Sequence, residues 1–333
     1  MVVAPQLRFP RAFVAALALL APACQRDAAA SGSAKSPAPA RYVAVVPKGT
    51  SHEFWVAVHA GAVKAAKEAG VVVDWKGPPR EDDRQQQISV VENFITMKVA
   101  GIVLAPLDAH ALTGVCKEAA RAGIPVVVID SGLDWDGMVS FVATDNRHGG
   151  ALAADRLGEL LAGKGRVLMM RYQEGSASTM EREAGFLDEM KAKYPAIELV
   201  STDQHGGATI DTAQKTAENL LQRHAELDGV FTPNESTTVG MLRALDDAGR
   251  AKKTKFVGFD ASKKLIEGLT SGKIHGLVVQ NPFRMGELGV KALLDHLDGK
   301  PVEKRIDTGC LVATAENLAD PAVKALLPPD PAK

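Results

Sequence analysis

The chain has 333 residues, 46% of them hydrophobic and 24% charged, and its 39 Lys and Arg against 40 Asp and Glu leave a formal net charge of −1. That length exceeds what one hydrophobic core usually serves, so two domains are expected. A near-neutral chain without a basic run lacks the positive face that nucleic-acid binding needs, and no nucleic-acid partner is expected.

In chain order, Arg8 and Arg11 precede an apolar stretch, Ala12–Ala21, followed by Pro22, Ala23 and Cys24. Positive charge, a short apolar core and small residues before a cut site describe an export signal. The run is too short to span a bilayer comfortably. With Cys24 directly after the small residues, 1–23 resembles a bacterial lipoprotein signal, and Cys24 becomes the lipidated first residue. Ala21 stands where that pattern prefers leucine, and the other reading is an ordinary secretory signal with an incidental cysteine. Residues 24–40, rich in Ala, Ser, Pro and Lys, lack core-forming content and read as a flexible tether. Export implies an oxidising compartment, in which Cys116 and Cys310 could pair. Disulfide geometry is strict and Cys116 falls mid-helix, so two buried free thiols are favoured.

From Arg41 strands and helices alternate. Strands are predicted at Tyr42–Pro47, Val71–Trp75, Gly101–Leu104, Pro125–Ile129 and Val139–Ala143, with helices at Phe54–Ala69, Glu81–Val99 and Ala111–Ala122 between them. Gly123 ends the last of these helices by accepting positive φ. A second set follows, with strands at Arg166–Met170, Glu198–Ser201, Gly229–Phe231, Lys255–Phe259 and Ile274–Val279. Its helices are predicted at Arg147–Ala162, Thr179–Lys193, Thr209–Arg223, Thr237–Ala248, Lys263–Thr270 and Arg284–Leu297. Continuous β-branched runs without polar alternation are strands buried on both faces, as in parallel sheets. The fold class is therefore α/β, with two doubly wound parallel-sheet (Rossmann-like) domains.

Several of these strands stop on a hydrogen-bonding side chain: Pro125–Ile129 on Asp130, Phe256–Phe259 on Asp260, Gly276–Val279 on Gln280, and Val230–Phe231 shortly before Asn234. Strand C-termini of a parallel sheet point into the crevice where small ligands bind. Singly, each Asp is equally well a turn residue or a helix N-cap; as a set they form a polar constellation. After the first strand come His52, Glu53, Phe54 and Trp55. Adjacent aromatics on a helix lie about 100° apart, so Phe54 and Trp55 cannot both face one core. At least one is expected in the crevice, where a ring face can stack on a sugar; the plainer reading is a core-facing helix start capped by His52 and Glu53. Arg182 offers a guanidinium fork for hydroxyls or a carboxylate, or is a surface arginine paired with Glu181 or Glu183.

Enzyme signatures are missing from the sequence: no G-x-x-x-x-G-K-[ST] phosphate loop, no G-x-S-x-G elbow, no H-E-x-x-H pair, and no clustering of the eight histidines. No catalytic residue, metal site or cofactor is expected.

Together these residues resemble the periplasmic sugar-binding proteins of the ribose-binding type, whose fold LacI-type effector domains share. The resemblance runs from about Tyr42 to Gly309. It is carried by Glu53-Phe54-Trp55-Val56 through Gly61, by Ile124–Asp130, by Thr144-Asp145-Asn146 with Gly149-Gly150, and by Glu181-Arg182 before Gly185-Phe186. Pro233-Asn234-Glu235, Val257-Gly258-Phe259-Asp260 and Gln280 complete it. It implies two lobes joined by a three-strand hinge with crossings near Thr144, Asn281 and Gly309. The N-terminal lobe is then 41–144 plus 281–308, and the C-terminal lobe and tail are 145–280 plus 309–333. It further implies a monomer that binds a monosaccharide between the lobes and delivers it to an ABC transporter permease, held to a bacterial membrane by its lipid anchor in the periplasm or another extracytoplasmic space. A sugar-sensing module for a membrane kinase or chemoreceptor is the alternative. Ligand contacts would come from His52, Phe54, Trp55 and Asp130 on the first lobe, and from Arg182, Asn234, Asp260 and Gln280 on the second or the hinge. Ala105, Ser131 and the region of Ala208 depart from the ribose-binding pattern, and point to another pentose, a hexose or a derivative.

Overall fold

The computed structural model describes residue 2 and residues 41–327. Apart from Val2, the segment read as export signal and tether, with Cys24, lies outside the described residues. The chain enters the first sheet as β1 (Tyr42–Val46), then runs through α1 (Glu53–Ala69), β2 (Val72–Trp75), α2 (Arg84–Thr96), β3 (Gly101–Leu104), α3 (Thr113–Arg121), β4 (Val126–Ile129) and β5 (Phe141–Ala143). It continues through α4 (Asn146–Leu160), β6 (Gly165–Met169), α5 (Ala177–Lys193), β7 (Ile197–Ser201), α6 (Ile210–Arg223), β8 (Gly229–Phe231), α7 (Glu235–Asp247), β9 (Lys255–Phe259), α8 (Lys263–Thr270) and β10 (Gly276–Gln280). The last elements are α9 (Pro282–Leu297), β11 (Arg305–Asp307), β12 (Cys310–Ala313) and α10 (Pro321–Lys324).

Two six-stranded sheets result, ordered β11-β5-β4-β3-β1-β2 and β12-β10-β9-β8-β6-β7. β12 runs antiparallel to β10, while the other pairings are parallel. Each sheet is covered on both faces, which is why β3, β4, β8 and β10 are buried along their whole length. In the first lobe, α1 and α9 cover one face and α2 and α3 the other. In the second, α4 and α5 cover one face and α6, α7 and α8 the other. Among the described residues no helix is long and apolar enough to cross a membrane.

The chain passes between the sheets three times: from β5 to α4, from β10 to α9, and from β11 to β12. The crossings are tied to one another. Thr144 donates to Gln280 Oε1 at 2.8 Å, and the Asp145 amide donates to Asp307 Oδ1 at 3.1 Å. Gly309 takes φ +74° at the third crossing, a conformation that disfavours any residue with a Cβ. The strands β11 and β12 were not anticipated from sequence; they are three and four residues long and carry little pattern.

Some element boundaries move in ways that matter for the cleft. The helix expected from Glu81 begins at Arg84, because Asp83 accepts from the Gln86 amide and caps it. That leaves Glu81 in a loop, buried at the cleft. The helix expected from Thr237 begins two residues earlier at Glu235, with Asn234 and Thr237 forming a reciprocal capping box. Cys116 in α3 and Cys310 in β12 are free thiols in different lobes; Cys116 is buried as expected, whereas Cys310 is only partly so.

Candidate functional site

The strand ends of both sheets meet across a narrow polar cleft with about 330 Å³ of atom-free space, open solvent included. Eight residues singled out from sequence line it together: His52, Phe54, Trp55 and Asp130 from the first lobe, and Arg182, Asn234, Asp260 and Gln280 from the second. Lys48, Glu81, Tyr172, Ser178, Thr179 and Glu235 line it as well and were missed. Lys48 lies two residues past β1 and Tyr172 three past β6, as Asn234 lies three past β8, so a strand-end rule widened to three residues would have included both. Glu235 adjoins Asn234. Glu81 was hidden by the helix assigned over it.

In the first lobe, Lys48 Nζ sits 2.7 Å from Asp130 Oδ2, with each side chain only 4% exposed. The contact is ionic rather than a directed hydrogen bond, since that oxygen finds no well-aligned donor among the described residues. Lys48 also donates to Ser178 Oγ across the cleft at 3.0 Å. Glu81 accepts from Trp55 Nε1 at 2.6 Å, pairs with His52 Nδ1 at 2.8 Å, and accepts from the Tyr172 hydroxyl at 2.7 Å. Burial works against charge on both His52 and Glu81, but their mutual bond outweighs it. The imidazole is raised to about 9 and the carboxyl lowered to about 2, so the pair is ionic. Trp55 is thereby fixed as a wall whose other edge joins the core, while the half-buried Phe54 ring meets it edge-on at 4.9 Å.

In the second lobe, Arg182 is buried in α5 and is not the surface arginine of the plainer reading: Glu181 pairs with Arg147 and Glu183 with Arg171 instead. Its Nε donates to Asn146 Oδ1 at 2.8 Å, its Nη1 to the Pro233 carbonyl at 3.0 Å, and its plane lies 4.0 Å over the Phe259 ring. Nη2 has no partner among the described residues. Asp260 accepts from Gln280 Nε2 at 2.6 Å and from the Glu235 amide at 2.9 Å, and burial raises its carboxyl. Asn234 caps α7, its Oδ1 accepting from Thr237, while it borders the cleft. Burial pushes the Glu235 carboxyl up to about 7, with the His52 charge and two backbone amides pulling against it and Asp260 reinforcing it.

The three departures also have places. Ala105 is buried and its carbonyl accepts from Gln87. Ser131 Oγ accepts from the Ser178 amide at 3.1 Å. The cation beside Asp130 is Lys48, from the loop after β1. Ala208 is buried, and the aromatic that the second lobe presents to the cleft is Tyr172. Among the described residues no group of His, Cys, Asp and Glu has metal-site geometry.

Two Rossmann-like lobes, a triple crossover and a polar cleft at facing strand ends define a two-lobed solute-binding protein. The chain belongs to the periplasmic binding protein domain family, whose model matches residues 43–301. This is a family of binding proteins rather than enzymes. The chain is 30% identical over 261 residues to the ribose import binding protein of Bacillus subtilis, covering 77% of this chain and 81% of that one. Among solved structures, it is similar to a carbohydrate transporter solute binding protein from Agrobacterium radiobacter in complex with D-arabinose, with 36% identity, TM-score 0.84, and coverage of 87% of this chain and 99% of that chain. It is also similar to an ABC transporter solute binding protein from Agrobacterium vitis with bound D-fucose, with 36% identity, TM-score 0.83, and coverage of 86% and 100%.

Proposed function

We propose that this protein captures a neutral monosaccharide between its lobes and passes it to an ABC import permease on the outer side of a cytoplasmic membrane. The observation that carries the reading is the charge-compensated ring of polar tips around the Phe54 and Trp55 faces. Lys48 is set against Asp130 and His52 against Glu81, while Arg182 faces Asp260. The fourth carboxyl, Glu235, is pushed towards its neutral form by burial. An ionised guest would upset that balance, whereas hydroxyls can accept from Arg182 Nη2 and donate to Asp130. Ring stacking and several charge-assisted hydrogen bonds suffice for a micromolar dissociation constant, about −8 kcal/mol. Similar proteins that bind D-arabinose, D-fucose, ribose and D-allose support a pentose or a hexose.

In this reading the ligand contacts are His52, Phe54, Trp55, Asp130, Arg182, Asn234, Asp260 and Gln280, joined by Lys48 and Glu235. The lobes are 41–144 plus 281–308 and 145–280 plus 309–333, and the protein acts as a monomer. Cys24 carries the lipid that tethers it, in the periplasm or another extracytoplasmic space.

Isothermal titration against D-arabinose, D-fucose, D-ribose, D-allose and D-fructose tests the ligand class. Dissociation constants at or below the micromolar range are expected for at least one of them, and absence of sub-millimolar binding to all five would refute the assignment. Cys24→Ser should move the protein from the membrane to the soluble fraction of expressing cells; unchanged partitioning removes the anchor.

A further inference from the structure

The first turn of an α-helix leaves backbone N–H groups without intrahelical partners, and a side chain at the N-cap usually takes one of them. α2, α4, α6, α7 and α9 follow this rule with Asp83, Asp145, Thr209, Asn234 and Asn281. α1, α5 and α8 do not: their N-cap residues His52, Ser176 and Ser262 make no side-chain cap, and neither does Asp320 before the four-residue α10. Ser262 Oγ is buried and unpartnered among the described residues. α3 also lacks an N-cap bond, but Asp108 of its own lobe closes its entry turn through the His110 and Ala111 amides.

α1, α5 and α8 all begin where the lobes face each other, and the opposite lobe supplies each missing partner. Glu235 of the second lobe accepts from the Phe54 amide at 3.2 Å and the Glu53 amide at 3.4 Å, at the start of α1. Ser131 of the first lobe accepts from the Ser178 amide at 3.1 Å, at the start of α5. Glu53 of the first lobe accepts from the Lys263 amide at 3.0 Å, at the start of α8. Glu53 also places negative charge at the positive end of the α8 dipole. Glu235 lines the cleft, but Glu53 and Ser131 do not.

We propose that Glu53 and Ser131 are positioning residues that set ligand affinity without touching the ligand, acting as helix caps exchanged between lobes and made only when the cleft is shut. This rests on reading the cleft as one that closes on a small guest. Opening returns the amides of Phe54, Ser178 and Lys263 to water, so each cap contributes to the closed state alone. Caps formed after encounter slow ligand escape and leave capture unchanged.

The test uses Glu53→Ala, Ser131→Ala and Glu53→Gln in the full chain, with the tightest-binding sugar of the panel above. Each alanine variant should weaken affinity by about two- to thirty-fold, the range of a single helix cap. The change should lie in the dissociation rate, with ligand-free melting unchanged. Glu53→Gln keeps an acceptor oxygen and should recover part of the loss. Unchanged affinity in both alanine variants, or an equal fall in ligand-free melting, overturns the proposal. If no panel sugar binds, the sugar reading falls and the caps are judged by amide exchange of the ligand-free chain. Protection lowered at Lys263 in Glu53→Ala and at Ser178 in Ser131→Ala upholds them; protection that both substitutions leave unchanged refutes them.

Discussion

Asp130 and Asp260 occupy matching positions, one residue past β4 and β9, the corresponding strands of the two sheets. Both hold positive φ, at +62° and +72°. Asp and Asn tolerate that conformation better than other residues with a Cβ, so the backbone favours a short polar side chain at both positions, apart from the ligand contact proposed for them. Asn is therefore a cleaner replacement than Ala. Asp130→Asn and Asp260→Asn should each weaken sugar binding by about tenfold or more, the loss expected when a buried charge is left without its counter-charge. Ligand-free melting should change little, as calorimetry can check; a melting collapse would make these residues structural. Glu235 supplies a pH signature. In an opened cleft its carboxyl returns towards the ordinary value near 4.3. Closing raises it to about 7, so closure takes up a proton. The closed state is thus favoured as pH falls through 7 towards 4.3, and loses that contribution as pH rises through about 7. Affinity measured by titration calorimetry should fall by about threefold or more between about pH 6 and 8, and Glu235→Gln should flatten that slope.

At the scale of elements, each lobe holds a pair of helices packed backbone to backbone through glycines. A Cβ at Gly61 of α1 would lie 1.9 Å from the Phe283 carbonyl of α9, and one at Gly286 of α9 would lie 2.0 Å from the Val58 carbonyl of α1. In the second lobe, Gly150 of α4 meets the Arg182 carbonyl and Gly185 of α5 meets the Arg147 carbonyl, each at 2.0 Å. The second pair sets how deeply Arg182 sits. Gly150→Ala must push α5 outward, which should cost about 1–3 kcal/mol of stability and lower melting by several degrees. It should also weaken ligand binding, because the displaced element carries the guanidinium. A stable variant with unaltered affinity would show that α5 can shift without moving Arg182. Most helices and strands were legible from sequence because their β-branched runs and turn glycines are local signals. The start of α2 was not, since Glu81 fits a helical pattern and only Asp83 capping the Gln86 amide decides where the helix begins.

At the scale of the molecule, the lobes are joined by contacts that no single sheet contains. The Tyr172 hydroxyl reaches Glu81, and Gln173 Nε2 donates to the Glu81 carbonyl at 2.8 Å, so one first-lobe loop is gripped from the second lobe. Tyr172→Phe removes one of these bonds and keeps the ring. A single hydrogen bond to a charged group is worth about 1.5–3 kcal/mol, so affinity should fall roughly ten- to a hundredfold, measured by titration calorimetry. A Tyr172→Phe variant that binds as tightly as the unaltered chain would mean that this contact takes no part in closure. The two sheets share a strand order although the halves show no obvious sequence repeat, because topology constrains burial pattern far more than residue identity.

Sequence by itself determined the βα alternation, the burial of the strands on both faces and the polar residues placed at their ends, because these follow from local pattern and chain direction. It could place Asp130, Arg182, Asn234, Asp260 and Gln280 near a crevice, but not say how their charges are compensated. Tertiary structure alone decided that Lys48 neutralises Asp130, that Glu81 orients His52, Trp55 and Tyr172, and that Glu53, Ser131 and Glu235 cap helices of the opposite lobe. Those pairings join residues 26 to 210 positions apart along the chain, beyond the reach of any local periodicity. Some exist only in the folded first lobe, as Lys48 with Asp130 does, and the others only where the two lobes come together.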